Sequence, residues 1–161
     1  VWGRWLRRRL RKDRGEQLLS IVRSLDYAMN NTSLILLFEV GDTKLLFPGD
    51  AQYENWMYAL GQDWVKKLLE GVDVYKVGHH GSLNASPRSM LDLFEKKRSR
   101  TDDPEKVMHS LLSTMHGVHG SVSSRTEVPR KTLVKTLEDE TQLTATSDFG
   151  GEISHTVTLP L

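Results

Sequence analysis

The sequence predicts an α/β layered domain with a mixed sheet. From residue 33 onwards, apolar runs of strand length alternate with segments of helical periodicity. Glycine and proline follow two of these runs, at Pro48-Gly49 and Gly78, where loops are expected. The 161 residues are enough for one core, and 38% hydrophobic and 27% charged residues are ordinary for a globular protein.

Residues 1–29 are set apart as a basic, amphipathic N-terminal segment. Seven Lys or Arg side chains face one acid, Asp13, within the first fourteen residues. Such a cluster is typical of contact with nucleic acid or an anionic surface, but also of a solvated chain end. Residues 16–27 show the spacing of a helix with one apolar side. The apolar residues of the segment are Trp2, Trp5, Leu6, Leu10, Leu18, Leu19, Val22 and Leu25.

The first elements of the remaining chain are two strands and a helical region. Residues 33–40 predict a strand buried on both faces, because the run is almost continuously apolar. A turn at Gly41-Asp42 leads to a second strand at 44–47. Residues 55–69 predict one or two helices, interrupted near Gly61, with Trp56 and Trp64 on the buried side.

The second half of the chain continues the alternation. Residues 73–77 predict a strand, the loop 78–84 follows, and Ser86 predicts a helix N-cap with Pro87 at the first helical position. Residues 98–106 predict an exposed linker, and 107–113 a strand. A loop at 114–127 precedes a helix opened by Pro129. Residues 142–146 and 153–159 predict closing strands on either side of a Gly150-Gly151 turn.

Asp50 is the first candidate for chemistry. It follows a strand and a Pro-Gly turn, and α/β proteins usually bind ligands at the carboxyl ends of strands. A carboxylate in that position can bridge two metal ions. The alternative is a turn aspartate that hydrogen-bonds to its own backbone.

His79 and His80 follow the next predicted strand. We expect one to bind metal and the other to orient or contact substrate, with His79 preferred as the ligand because the turn would expose its ring nitrogen. Gly81 allows the backbone to approach a ligand closely, and Ser82 either bonds a phosphate oxygen or caps the turn. Asn84 is a candidate substrate contact. The chain has no cysteine, so a metal would be held by His, Asp or Glu, which suits zinc, manganese or iron.

The loop from His116 to Arg125 is a second candidate region. His116, His119 and Arg125 are expected to line the mouth of the crevice and hold a phosphate, and the alternative is a polar loop without a site. His109 and His155 fall in strand patterns and are expected to be structural.

The motif LLFPGDA (residues 45–51) followed by KVGHHGS (residues 76–82) resembles the second half of a metallo-β-lactamase-fold hydrolase. The resemblance is to the branch that includes the corresponding domain of competence-type DNA-uptake channel proteins. There an Asn-Ser strand start precedes the Gly-Asp and His-His-Gly-Ser motifs, and the counterpart here is Asn31-Thr32-Ser33. It covers about residues 30–160.

The resemblance implies that residues 30–161 are the C-terminal half of a four-layer αβ/βα sandwich. It further implies a site for two zinc ions, with manganese or iron as alternatives, that hydrolyses phosphodiesters rather than β-lactams. Asp50 would bridge the metals, His79 would complete the ligand set of the second metal ion, and His80 or Ser82 would stabilise the departing oxyanion. The superfamily's His-x-His-x-Asp-His motif, which supplies most ligands, does not occur in this sequence.

The sequence therefore predicts part of a hydrolase. Since the first residue is Val, the chain is expected to be a fragment of a longer product, without useful activity alone. The expected partners are the missing N-terminal half or a second copy, on an apolar sheet face, together with nucleic acid or another phosphodiester as substrate. The alternative is a non-catalytic binding module. No apolar run approaches the roughly 18 residues of a membrane helix, so we expect a cytoplasmic protein without a membrane partner.

Overall fold

The computed structural model describes residues 9, 12–22, 24–25, 32–115 and 127–159. The chain divides into two compact units, residues 1–32 and residues 33–161. In the first unit, residues 12–22 and 24–25 are helical, which confirms a helix in this region and extends it toward the N-terminus. Its apolar side chains are exposed to solvent; they are Leu18, Leu19, Ile21, Val22 and Leu25.

The second unit is an α/β domain built on a five-stranded mixed sheet, as predicted. The strands follow one another in sequence order across the sheet; β1 and β2 are antiparallel, and the remaining pairs are parallel. The carboxyl ends of β2 to β5 therefore lie along one edge. The strands are β1 (Leu36–Val40), β2 (Thr43–Phe47), β3 (Val74–Lys76), β4 (His109–Leu112) and β5 (Gln142–Ala145).

The helices of this unit pack on one face of the sheet. Leu46, Tyr75, Ser110 and Leu143 share that face by strand register. The helices contribute Trp56, Leu69, Met90 and Leu137, among others, to the same apolar core. Gly61 separates the first two helices, as predicted. The helices are α1 (Tyr53–Leu60), α2 (Asp63–Glu70), α3 (Arg88–Leu91) and α4 (Lys131–Glu140).

The opposite face of the sheet is open along β1, so the prediction that this strand is buried on both faces was wrong. Leu36, Phe38 and Val40 are between 44% and 56% exposed. The Phe38 ring contacts the ring of Phe47 in the neighbouring strand, at 5.6 Å between centroids. An apolar run does not tell which of its faces a helix will cover. The expected exposed apolar face is present here.

Several local predictions also needed correction. Ser86 is not a helix cap: Pro87 is the N-cap of α3, and the Ser86 side chain is buried. Trp64 is 65% exposed, because α2 buries Leu69 instead. These errors concern which side of an element faces the core, a property that short segments do not fix.

The prediction of a last strand at residues 153–159 was wrong: these residues form no strand. The chain leaves β5 through a 3-10 turn and two glycines with positive φ, Gly150 and Gly151, before reaching this segment. His155 is consequently exposed, with its ring 5.4 Å from that of Phe149. Alternation alone does not make a strand, since a strand needs the hydrogen-bonding edge of a neighbour.

The exposed linker at 98–106 is confirmed for most of its length. His109 is half-buried within β4, as expected of a structural histidine.

In the part of the chain for which the structure gives positions, no helix has the length and apolar content needed to cross a bilayer.

Candidate functional site

The loops that follow β2 and β3 are in direct contact at the carboxyl edge of the sheet. A Cβ atom built on Gly78 would lie 2.8 Å from the Gly49 carbonyl oxygen and 3.3 Å from Cγ of Pro48. Each of these glycines immediately precedes one of the predicted ligands, Asp50 and His79. The two motifs therefore lie side by side, at the edge where α/β proteins usually bind ligands.

Asp50 projects from an exposed turn that is closed by a hydrogen bond from the Ala51 N–H to the Pro48 carbonyl, 3.1 Å long. Among residues 32–115 and 127–159, no group donates a hydrogen bond to the Asp50 carboxylate. The alternative of a turn aspartate bonded to its own backbone is thus not what the structure shows for these residues. The carboxylate is accessible to a ligand.

Lys76 is a residue of this region that the sequence analysis missed. It ends β3 and is half-buried, and its ammonium is 3.3 Å from the Val77 carbonyl oxygen. Burial lowers the pKa of Lys76, and the charge of Asp50 acts in the opposite direction. The negative charge of Asp50 thus favours the protonated form of the Lys76 amine. The available signal was a charged residue inside an otherwise apolar strand.

The two histidines have an unusual backbone conformation. His79 and His80 have φ angles of 42° and 53°, in the left-handed region that L-residues seldom adopt. Each such residue costs about 1 kcal/mol relative to glycine. Strained positions of this kind concentrate at functional sites, where the surroundings hold them in place.

The His80 ring ties this turn to the end of β4. Its Nδ1 lies 3.1 Å from the Ser113 carbonyl oxygen. A carbonyl only accepts hydrogen bonds, so Nδ1 carries the proton and donates it. Metal-binding and catalytic histidines are commonly oriented through such a bond from the second ring nitrogen.

The His79 ring has a buried nitrogen to which no described residue is hydrogen-bonded. Its Nδ1 is inaccessible to water and has no hydrogen bond to any residue that the structure describes. Leaving such an atom unsatisfied costs about 1–3 kcal/mol. A metal ion is one ligand that would satisfy it, although Nδ1 is buried, whereas the turn was expected to expose a ring nitrogen. The choice of His79 as ligand stays a prediction.

Gly81 packs closely against other segments of the protein, while its predicted approach to a ligand stays a prediction. Its φ is 85°, and an added Cβ would lie 2.9 Å from Cβ of Pro129 and 3.1 Å from Cδ1 of Leu112. The Arg130 N–H also donates to the Gly81 carbonyl oxygen over 2.9 Å. The close approach that requires glycine is thus made by the protein itself.

Buried hydrogen bonds hold the segment that follows the histidines. The Tyr75 hydroxyl is 2.6 Å from Oγ of Ser86, and burial raises the pKa of Tyr75 to about 12. The Trp56 indole N–H donates to the Ala85 carbonyl oxygen at 2.9 Å. The sequence did not reveal these bonds, because their members are distant along the chain.

The remaining predicted site residues are Ser82, Asn84 and three residues of the 116–125 loop. The Ser82 N–H donates to the His79 carbonyl oxygen at 3.0 Å, and Asn84 is exposed in the next 3-10 turn. His116, His119 and Arg125 lie outside the described residues. The residues flanking that stretch, Ser113 and Pro129, contact His80 and Gly81 respectively.

The donor types suit zinc, manganese or iron, but their number does not. Asp50 and His79 offer one carboxylate and one imidazole, whereas catalytic zinc takes three protein ligands and a water. The positions given by the structure contain no group of three His, Cys, Asp or Glu able to hold a metal ion. These residues alone do not form a complete site, and we assign no reaction step to a metal.

Comparison with family models, with curated proteins and with solved structures found no match to this chain. The resemblance to the metallo-β-lactamase superfamily therefore rests on the two motifs and their order. The α/β domain and its mixed sheet are shown by the structure. The family, the four-layer sandwich and the hydrolytic activity are proposals.

Proposed function

We propose that residues 30–161 are the C-terminal half of a metallo-β-lactamase-fold domain that hydrolyses phosphodiesters when complete. The observation that carries the proposal is the contact between the loops of Asp50 and His79 at the carboxyl ends of two neighbouring parallel strands. Ligand sites of α/β proteins concentrate there. The strained backbone of both histidines supports a functional role for this edge.

Asp50 and His79 contribute two donors to the proposed centre, and the other donors come from the missing half of the fold. When bound, the two zinc ions, or manganese or iron, would supply a water whose pKa is lowered to about 7. His80, oriented by the Ser113 carbonyl, or Ser82 would stabilise the departing oxyanion. Asn84, His116, His119 and Arg125 would contact the substrate.

The proposed partner is the other half of the fold, with a second copy of the chain as the alternative occupant. The exposed side of β1, which includes Leu36, Phe38 and Val40, is the surface that such a partner would cover. Packing of a second sheet against this face would give the four-layer sandwich.

A non-catalytic binding module is the second candidate. It is favoured by one observation, that the residues with described positions supply two metal donors and not three. In that case the Asp50 and His79 loops would bind a partner or nucleic acid without turnover.

Zinc titration of the purified chain, by calorimetry and elemental analysis, tests the donor assignment. We expect weak, substoichiometric binding that is lost in Asp50→Asn and in His79→Ala. The matched controls are Asp139→Asn, at an exposed position of α4, and His155→Ala, in the exposed C-terminal segment; both should bind as the wild type does. Two tightly bound zinc ions per chain would contradict the half-site, and binding unaffected by Asp50→Asn would place the site elsewhere.

The reading frame upstream of Val1, or a neighbouring gene, tests the function itself. A His-x-His-x-Asp-His motif is expected there. The assembled protein should hydrolyse bis(p-nitrophenyl) phosphate with zinc, manganese or iron, and Asp50→Asn should lower the rate at least a hundredfold. Nucleic-acid binding by the assembled protein without hydrolysis under any of these metals would favour the binding module.

A further inference from the structure

The charge of the chain is divided between its two units. Residues 1–32 contain eight Lys or Arg and three Asp or Glu, while residues 33–161 contain fourteen and eighteen. The N-terminal unit is therefore strongly basic and the α/β unit is acidic. A basic segment is attracted to anionic surfaces, of which nucleic acids and lipid bilayers are the two common kinds.

The helix of the basic unit exposes one broad apolar side. Its five large apolar side chains have exposed fractions between 50% and 63%. At about 100° per residue they occupy an arc of roughly 160°. Polar residues occupy the opposite side, including Glu16, Ser20 and Ser24. The five apolar residues are Leu18, Leu19, Ile21, Val22 and Leu25.

The breadth of this apolar side distinguishes among the partners. A two-helix seam needs only a narrow stripe, and nucleic acid would use the basic residues and leave the apolar side chains in water. A bilayer surface accommodates a broad apolar side in the acyl region and basic side chains among its headgroups. Lys12 and Arg14 stand just before the apolar stripe, and Trp2 and Trp5 precede them in sequence.

We propose that the helical residues 12–22 and 24–25 lie on the surface of an anionic lipid bilayer, with Leu18, Val22 and Leu25 inserted. This replaces the expectation of no membrane partner, which considered only membrane-spanning segments. A helix lying in the interface needs neither the length nor the uniform apolarity of a spanning one. The proposal is independent of the hydrolase assignment.

Co-sedimentation of the full chain with vesicles tests the proposal. Phosphatidylcholine vesicles are compared with vesicles containing one quarter phosphatidylglycerol. We expect binding to the anionic vesicles, weakened about tenfold or more by Leu18→Glu. Ser20→Glu is the matched control, because it adds the same charge on the polar side, and it should weaken binding less than threefold. Arg14→Gln should weaken binding about fivefold on anionic vesicles only.

Each remaining outcome overturns the proposal. Failure of the wild type to sediment with anionic vesicles at about 0.1 M salt, where surface charges are already screened beyond roughly 10 Å, would exclude a membrane-surface role. Equal losses in Leu18→Glu and Ser20→Glu would show purely electrostatic attraction. Binding of a single-stranded oligonucleotide that persists in Leu18→Glu, without vesicle binding, would assign the segment to nucleic acid. Leu25→Glu and circular dichroism exclude a folding defect as the cause.

Discussion

Gly78 and Gly49 are in contact across the β2 and β3 loops. A Cβ atom at position 78 would lie 2.8 Å from the Gly49 carbonyl oxygen, a distance that real Cβ atoms essentially never show. Gly78 has an ordinary extended conformation, with φ −74° and ψ 157°. It is therefore required for its lack of a side chain and not for its backbone freedom, and its small size allows the loops of Asp50 and His79 to touch.

Gly78→Ala should push these two loops apart. We expect the free energy of unfolding to fall by about 2 kcal/mol, because the added methyl group would overlap the Gly49 carbonyl oxygen, a backbone atom. Urea denaturation measures the change, and zinc titration of the same variant should show weaker binding. Gly15→Ala is the control: it lies in the N-terminal helix with no atom within 4 Å of the added Cβ. Equal stability of Gly78→Ala and wild type would contradict the contact.

Two buried serines should respond oppositely to alanine. Oγ of Ser110 is buried on β4 and has no hydrogen-bond partner among the residues given positions, whereas Oγ of Ser86 is bonded to Tyr75. Ser110→Ala should raise the free energy of unfolding by about 1 kcal/mol, since an unsatisfied hydroxyl is removed. Ser86→Ala should lower it by about 1–2 kcal/mol. Destabilisation by both substitutions would show that Ser110 has a partner.

The energetic cost of the left-handed backbone of His80 can be measured by comparing the stabilities of glycine and alanine variants. Both variants lose the bond to the Ser113 carbonyl, but only glycine relieves the strained φ angle. We expect His80→Gly to be more stable than His80→Ala by about 1 kcal/mol. The same pair at His109, in β4, should show the reverse order, because glycine is unfavourable in a strand. The same order at both positions would contradict the strain.

Tyr75 should make stability depend on pH in the alkaline range. Burial raises its pKa from 10.0 to about 12 in the folded state, so the unfolded state releases this proton first. The contribution is fully present below pH 10 and is lost as the pH rises from about 10 toward 12, by on the order of 2–3 kcal/mol. Denaturation measured at several pH values across this range should show the free energy of unfolding falling more steeply with pH for the wild type than for Tyr75→Phe. Parallel pH dependences would contradict the buried, neutral phenol.

Local signals sufficed for the order of the elements up to β5, but not for the strand predicted at 153–159. The alternation of strands and helices, the break at Gly61 and the loops after residues 47 and 76 are confirmed, because periodicity and turn residues act within a few positions. The same reasoning placed Asp50 and His79 at one edge of a sheet. It failed for Trp64 and Ser86, whose burial depends on neighbours far along the chain.

The amino-acid sequence by itself determined that this is an α/β domain with two polar motifs after adjacent strands, and that a basic amphipathic segment precedes it. Only the tertiary structure decided which face of the sheet is covered and which contacts require glycine at positions 78 and 81. It also decided that the charge of Asp50 acts on the pKa of Lys76. Turn and strand preferences depend on neighbouring residues, so the sequence predicts them. Burial and close contacts depend on segments tens of residues apart, so no single segment predicts them.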